Sequence, residues 1–172
     1  PARDLVPIEK YMKLNTPHGM TARFKENMNI MTSRGCPAKC NFCSSGKFWG
    51  GIYRGRSAKT VVDEIELLVK KYGVKEIQFL DDNLTFDKPR AREIFQEIID
   101  RKLDIVWNTP NGIALWALDE DLLRLMKKSG CYALTLAIES GNQELLSKYI
   151  KKPLVLKRVE ELMKTIKKLN IE

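Results

Sequence analysis

What most limits the fold of this chain is a fourfold alternation of short β-type runs with amphipathic helical runs. Residues 29–33 (NIMTS) read as a strand. Ser57 can then cap a helix whose apolar residues Val61, Ile65, Leu68, Val69 and Tyr72 recur at helical spacing before Gly73 closes it. Residues 75–80 (KEIQFL) give a second strand, and Asp87 with Pro89 opens a helix carrying Ile94, Phe95, Ile98 and Ile99 on one side. Residues 104–108 (DIVWN) form a third strand, followed by a helix from Asp119 with Leu122, Leu123, Leu125 and Met126, ended by Gly130. Residues 132–138 (YALTLAI) are the fourth strand, and Leu156, Val159, Met163 and Ile166 mark a last helix over 155–169.

Strands that alternate with helices build a parallel sheet with the helices outside it, so the fold class is α/β. Four such units are half of an eight-unit barrel, and the expected architecture is a partial (β/α) TIM-type barrel. A small open parallel sheet, complete in itself, fits the same pattern. The last helix has no strand after it and the chain opens on Pro1 rather than methionine, so it reads as a piece of a longer protein. Residues 1–25, with Pro1, Pro7, Pro17 and Gly19 and no sustained periodicity, read as a linker or wrapping segment. The expected division is therefore 1–27 as a linker and 28–172 as the barrel portion.

At 172 residues and 44% hydrophobic composition, the chain can bury a real core, which excludes general disorder. No apolar run approaches the length of a membrane span, and no charged-then-apolar leader precedes the first strand, so a soluble cytoplasmic protein is expected. The net charge of +8 would permit phosphate binding. Most lysines nevertheless fall on polar helix faces, as at Lys70 and Lys71, Lys127 and Lys128, and Lys164, Lys167 and Lys168, so a nucleic-acid partner is not expected.

Three of the four cysteines crowd into GCPAKCNFCSS, where Cys36, Cys40 and Cys43 give C-x3-C-x2-C directly after the first strand. That is the carboxyl end of the sheet, where parallel α/β folds place their chemistry. Clustered cysteines in a chain that is neither small nor cysteine-dense read as metal ligands rather than disulfides. An iron-sulfur cluster held by three thiolates leaves one iron free for a small molecule, whereas zinc wants a fourth ligand. The candidates for that ligand, Cys131 and the single His18, are remote in sequence, and Cys131 reads as a buried small hydrophobe. Gly35 and Pro37 let the loop curl its sulfurs together, and Lys39 favours the thiolate state.

The run RGCPAKCNFCS resembles the signature of the radical S-adenosylmethionine enzymes, with Phe42 as the aromatic residue before the third cysteine. The resemblance extends from about Met28 to the end of the chain. It implies a partial or full β/α barrel, a 4Fe-4S cluster on Cys36, Cys40 and Cys43, and S-adenosylmethionine on the unique iron. Reductive cleavage of the sulfonium then gives a 5'-deoxyadenosyl radical, with flavodoxin or ferredoxin as the kind of electron donor required. By position, Asp81 or Asp82 in LDDNLTFD would stand where family members carry a Gly-Gly-Glu-type motif and would accept from the ammonium group. Glu139 and Ser140 in AIESG would contact the ribose or amino-acid part of the same molecule, although Ser140 also suits a helix cap. Asn108 and Asn111 in WNTPNG are expected at the same mouth.

The opening PARDLVPIEKY, with TSRGCP, FLDDNLTFD and IESG, is similar to the group that carries a cobalamin-binding domain immediately upstream. That similarity implies cobalamin in the whole protein and methyl transfer as a reaction. Two alternatives stand beside it: a methylthiotransferase acting on transfer RNA, and a non-catalytic module holding zinc or an iron-sulfur centre. The small-molecule substrate is not legible.

Overall fold

The computed structural model describes residues 1–14, 17–18 and 22–172. Strands β1 (Asn27–Ile30), β4 (Glu76–Phe79), β5 (Val106–Ile113) and β6 (Cys131–Leu136) form one sheet in the order β1-β4-β5-β6, every pair parallel. A two-residue ribbon, β2 (Ser33–Arg34) with β3 (Arg54–Gly55), stands apart and is antiparallel. The helices are α1 (Ile8–Leu14), α2 (Ser45–Phe48), α3 (Ala58–Tyr72), α4 (Lys88–Asp100), α5 (Glu120–Lys128) and α6 (Leu156–Lys168). Each new strand joins the same edge, and α3, α4, α5 and α6 pack in sequence beside one another. That is the arrangement of a barrel wall, since a doubly wound sheet would reverse its strand order and divide the helices between two faces.

Local chemistry fixes the helix boundaries. The Ser57 hydroxyl accepts from the Thr60 N–H, Asp87 from Arg90 N–H and Asp119 from Leu122 N–H, so each of the three central helices begins at a side-chain cap. Gly73 closes α3 with φ +68°. The helix-facing side of the sheet presents Ile77, Phe79 and Trp107, all fully buried. Trp107 stacks on Phe95 of α4 at 4.9 Å and meets Phe79 edge-on at 5.2 Å, while its Nε1 donates to Ser129. These rings join a core of Ile, Leu and Val side chains whose burial is worth about 25 cal/mol per Å².

The opposite side of the sheet is polar. Glu76 is completely buried there, its Oε1 accepting from Asn108 Nδ2 at 3.0 Å and Tyr132 OH at 2.7 Å. Its Oε2 accepts from the backbone N–H groups of Arg23 and Phe24 at 2.7 and 2.9 Å. Burial and the bond to Glu76 push the Tyr132 hydroxyl up to about 12, so it remains a donor. The segment before β1 is thus tied across the inner face, and it also holds structure of its own. In α1 Ile8 is buried, and Arg3 pairs with Glu64 of α3.

The fourth strand, expected over 132–138, ends earlier, at Leu136, and two others depart further from expectation. β1 lies at Asn27–Ile30, shifted towards the amino end, because Thr32 and Ser33 leave the sheet to bond Asp81. β5 continues past the expected 104–108 to Ile113, with irregular register between Thr109 and Ile113 where Pro110 brings no donor.

Candidate cofactor site at the carboxyl end of the sheet

A cavity of about 280 Å³ opens where the loops after β1, β4, β5 and β6 meet. Cys36, Cys40 and Cys43 line it together with Phe42, Asp82 and Glu139. The cysteine loop is held from three directions. Gly35 N–H donates to Asp82 Oδ2 at 3.2 Å, Asn83 Nδ2 approaches Cys36 Sγ at 3.7 Å, and Asn41 N–H donates to Ile150 O at 3.0 Å while its side chain donates to Tyr149 O. Residues Leu145–Ile150 form a π-helical turn, and Asn41 satisfies carbonyls that such a turn leaves free.

The donor set at the cavity is soft. Burial pushes the Cys40 thiol up, Lys152 opposes that, and the neighbouring Cys43 and Cys36 sulfurs reinforce it, so the three sulfurs share one electrostatic environment. Among the described residues, no three His, Cys, Asp or Glu side chains are already closed round one point as metal ligands. The thiols share a cavity wall instead, and of the two acids that line it with them Glu139 pairs with Lys152 while Asp82 accepts from Gly35 N–H. Neither alternative fourth donor lines this cavity. Cys131 is buried at the amino end of β6, and His18 donates its backbone N–H to Gln78. With Glu139 paired to Lys152 and Asp82 bonded to the cysteine loop's own Gly35 N–H, the three thiols are the soft donors of this cavity, a set that suits an iron-sulfur cluster better than tetrahedral zinc.

The adjacent acids Asp81 and Asp82 part company. Asp81 is 1% exposed, accepting from Thr32 N–H at 3.1 Å, Thr32 Oγ1 at 2.6 Å and the Ser33 hydroxyl. Burial raises its pKa against these bonds, and the carboxyl pins the β2 strand rather than lining the cavity. Asp82 does line it. Glu139 sits at the mouth with φ +66°, a left-handed conformation that costs a non-glycine residue about 1–3 kcal/mol. Ser140 lies outside the lining and its hydroxyl accepts from Asn142 N–H, a turn contact, while the contact expected of a helix cap is made by Asn142, whose Oδ1 accepts from Leu145 N–H. Asn108 belongs to the inner polar network and not to the mouth, whereas Asn111 reaches the mouth and donates to Leu80 O.

Lys152 is the residue that sequence reasoning missed. Its side chain is 4% exposed, its Nζ pairs with Glu139 and lies 5.3 Å from the Trp116 ring centroid, and both partners line the cavity. Nothing in YIKKPL separates this lysine from the surface lysines around it.

A three-cysteine loop over the mouth of a parallel barrel wall defines a cofactor-binding α/β protein, and comparison with known proteins narrows it. The Radical SAM superfamily model matches residues 30–172, so the chain belongs to that superfamily. It is 42% identical over 95% of its length to cytidylyl-2-hydroxyethylphosphonate methyltransferase of Streptomyces wedmorensis, covering 30% of that protein. It is 39% identical over 64% of its length to the anaerobic magnesium-protoporphyrin IX monomethyl ester cyclase of Rubrivivax gelatinosus, covering 20% of it. In structure it resembles the radical S-adenosylmethionine methyltransferase TsrM of Kitasatospora setae, solved with tryptophan and a SAM analogue. The TM-score is 0.77 at 20% identity, over 95% of this chain and 30% of that one. The chain therefore spans about a third or less of the relatives it matches. No helix among the described residues is long and apolar enough to cross a membrane.

Proposed function

We propose that this chain is the cluster-bearing half of the barrel of a radical S-adenosylmethionine methyltransferase, with Cys36, Cys40 and Cys43 holding a 4Fe-4S cluster. The observation that carries the reading is the set of three thiols on one cavity, where one of the two lining acids, Glu139, is neutralised by Lys152 and the other, Asp82, accepts from Gly35 N–H. When bound, such a cluster supplies the single electron that cleaves the sulfonium of S-adenosylmethionine to methionine and a 5'-deoxyadenosyl radical.

The chain's own residues account for positioning. Lys152, buried beside Trp116, offers a cation to the carboxylate of the amino-acid moiety, and Asp82 and Glu139 offer acceptors to its ammonium group. Phe42, 60% exposed between Cys40 and Cys43, covers one side of the cavity and limits water at the sulfurs. Ser140 acts through the turn it makes with Asn142, and Asp81 acts through the strand it pins.

Residues 1–27 are read as the connection from an upstream cobalamin-binding domain, and 28–172 as the amino-terminal half of the catalytic barrel. Methyl transfer is favoured over methylthio transfer by the 42% identical relative, a methyltransferase. Three free thiols suit a reducing compartment such as the cytoplasm, and the electron donor would be a protein of the flavodoxin or ferredoxin kind. Anaerobic reconstitution followed by metal analysis and absorption spectroscopy tests the proposal. About four irons per chain with broad visible absorbance are expected, abolished by Cys40→Ala. Stoichiometric zinc without iron would instead establish a binding module.

A further inference from the structure

A second concavity, of about 540 Å³, lies beyond the edge of β1, between the Arg3 turn and the β2–β3 ribbon. Its charge is unbalanced. Arg3, Arg34, Arg54 and Arg56 all line it against a single carboxylate, Glu64, which Arg3 and Arg56 already share. Arg34 and Arg54 are register partners across the ribbon, and neither enters an ion pair among the described residues. Like charges set directly opposite on paired strands are destabilising, by about 0.2–1 kcal/mol.

The ribbon is nevertheless rigidly held. Two-residue strands have little stability alone, yet Asp81 grips Thr32 and Ser33 from behind. The buried guanidinium of Arg90 donates to Thr32 O at 2.7 Å, to Arg56 O and to the Tyr53 hydroxyl at 2.9 Å. Gly55 is required for this grip, since a Cβ there would lie 2.8 Å from Arg90 Nε. Arg34 is further steadied over the Trp49 ring, 5.7 Å from its centroid. Arg54 Nη2 donates to the carbonyl of the same Trp49 at 3.5 Å, so two guanidinium groups that pair with no carboxylate are gathered at one residue, on a preorganised support, beside a concavity that no carboxylate neutralises beyond Glu64.

We propose that this cleft binds a small molecule through a phosphate group held between Arg34 and Arg54. Paired arginine forks match a tetrahedral oxyanion carrying two charges, and the concave shape suits a small ligand better than a protein surface. The site is separate from the cysteine cavity and does not depend on the assignment made there.

Isothermal titration at low ionic strength with inorganic pyrophosphate, and with inorganic phosphate for comparison, provides the test. The chain should bind one pyrophosphate per molecule, more tightly than phosphate. Arg34→Gln with Arg54→Gln should weaken that by at least about tenfold, since each charge-assisted contact contributes roughly that factor. Both side chains are exposed, and an unchanged melting curve will show that the double variant folds. Lys164→Gln with Lys167→Gln on α6 removes the same charge elsewhere and should leave binding intact. Absence of pyrophosphate binding, or equal weakening in the α6 control, overturns the proposal. Tighter binding of a single-stranded oligonucleotide than of pyrophosphate through the same two arginines would overturn the small-molecule assignment.

Discussion

Replacing Gly35 by alanine should damage the cysteine loop far more than its single methyl suggests. Gly35 joins β2 to Cys36 with φ +87°, and a Cβ at this position would lie 2.1 Å from Ile52 O and 3.2 Å from Trp49 Cβ. Holding an L-residue in left-handed backbone costs about 1–2 kcal/mol. The clash is with a main-chain oxygen, so no rotamer relieves it, and displacing the packed neighbour adds about 1–3 kcal/mol. The expected loss is about 2–5 kcal/mol, a large share of the 5–15 kcal/mol typical of a domain. Because the strain falls one residue from Cys36, iron uptake in anaerobic reconstitution should fall with it. Gly46→Ala is the matched control, since a Cβ there meets nothing within 4 Å. Urea unfolding and iron content measured on both variants decide the matter. A Gly35→Ala protein that loads iron like the wild type and loses less than about 0.5 kcal/mol would refute the reasoning.

Lys152→Met should destabilise by about 3 kcal/mol, the low end for breaking a buried pair, because Glu139 keeps 26% of its side chain exposed. Adding Glu139→Gln should recover most of that loss in chemical denaturation, and a single variant that costs under about 1 kcal/mol would dismiss the pair as a stabilising contact. At acid pH, α5 should loosen through Asp119. Burial opposes its charge, but the Leu122 N–H with the Lys88 and Arg92 cations outweighs burial and holds the carboxyl below its ordinary 3.8. A carboxylate depressed in the folded state stabilises fully above its unfolded pKa and loses that contribution as pH falls through the folded value. Asp119→Asn, which still caps, should therefore flatten the stability profile below about pH 4; an unaltered acid limb would contradict this assignment.

The parts of the fold that were legible from sequence are those set by local chemistry. Ser57, Asp87 and Asp119 announce their helices because capping is a contact over three residues, and Gly73 ends one because its left-handed angle is intrinsic. That Cys36, Cys40 and Cys43 would lie close together was legible for the same reason, and they line one cavity. Strand ends were not. Residues 27–33 (NMNIMTS) contain no glycine or proline to mark an end, and Asp81, some fifty positions away, decides where β1 stops. The Asp81–Asp82 pair shows the limit sharply: alternation requires that one carboxylate turn inward and the other out, but which does so depends on the Thr32–Ser33 strap arriving from another strand. Lys152 was invisible because burial of a lysine is a property of what covers it.

The anchoring of the cysteine loop by Asp81 and Asp82 also dictates an order of assembly. Its braces come from beyond α3 and from the turn at Leu145–Ile150, so closing it requires contacts across 47 to 49 residues on one side and 108 on the other. Such distant contacts are entropically late. The loop therefore reaches its braced form only late in folding. Most of the polypeptide must already be in place before the thiols are presented together, which makes metal loading a step of maturation and leaves the sulfurs open to oxidation until then.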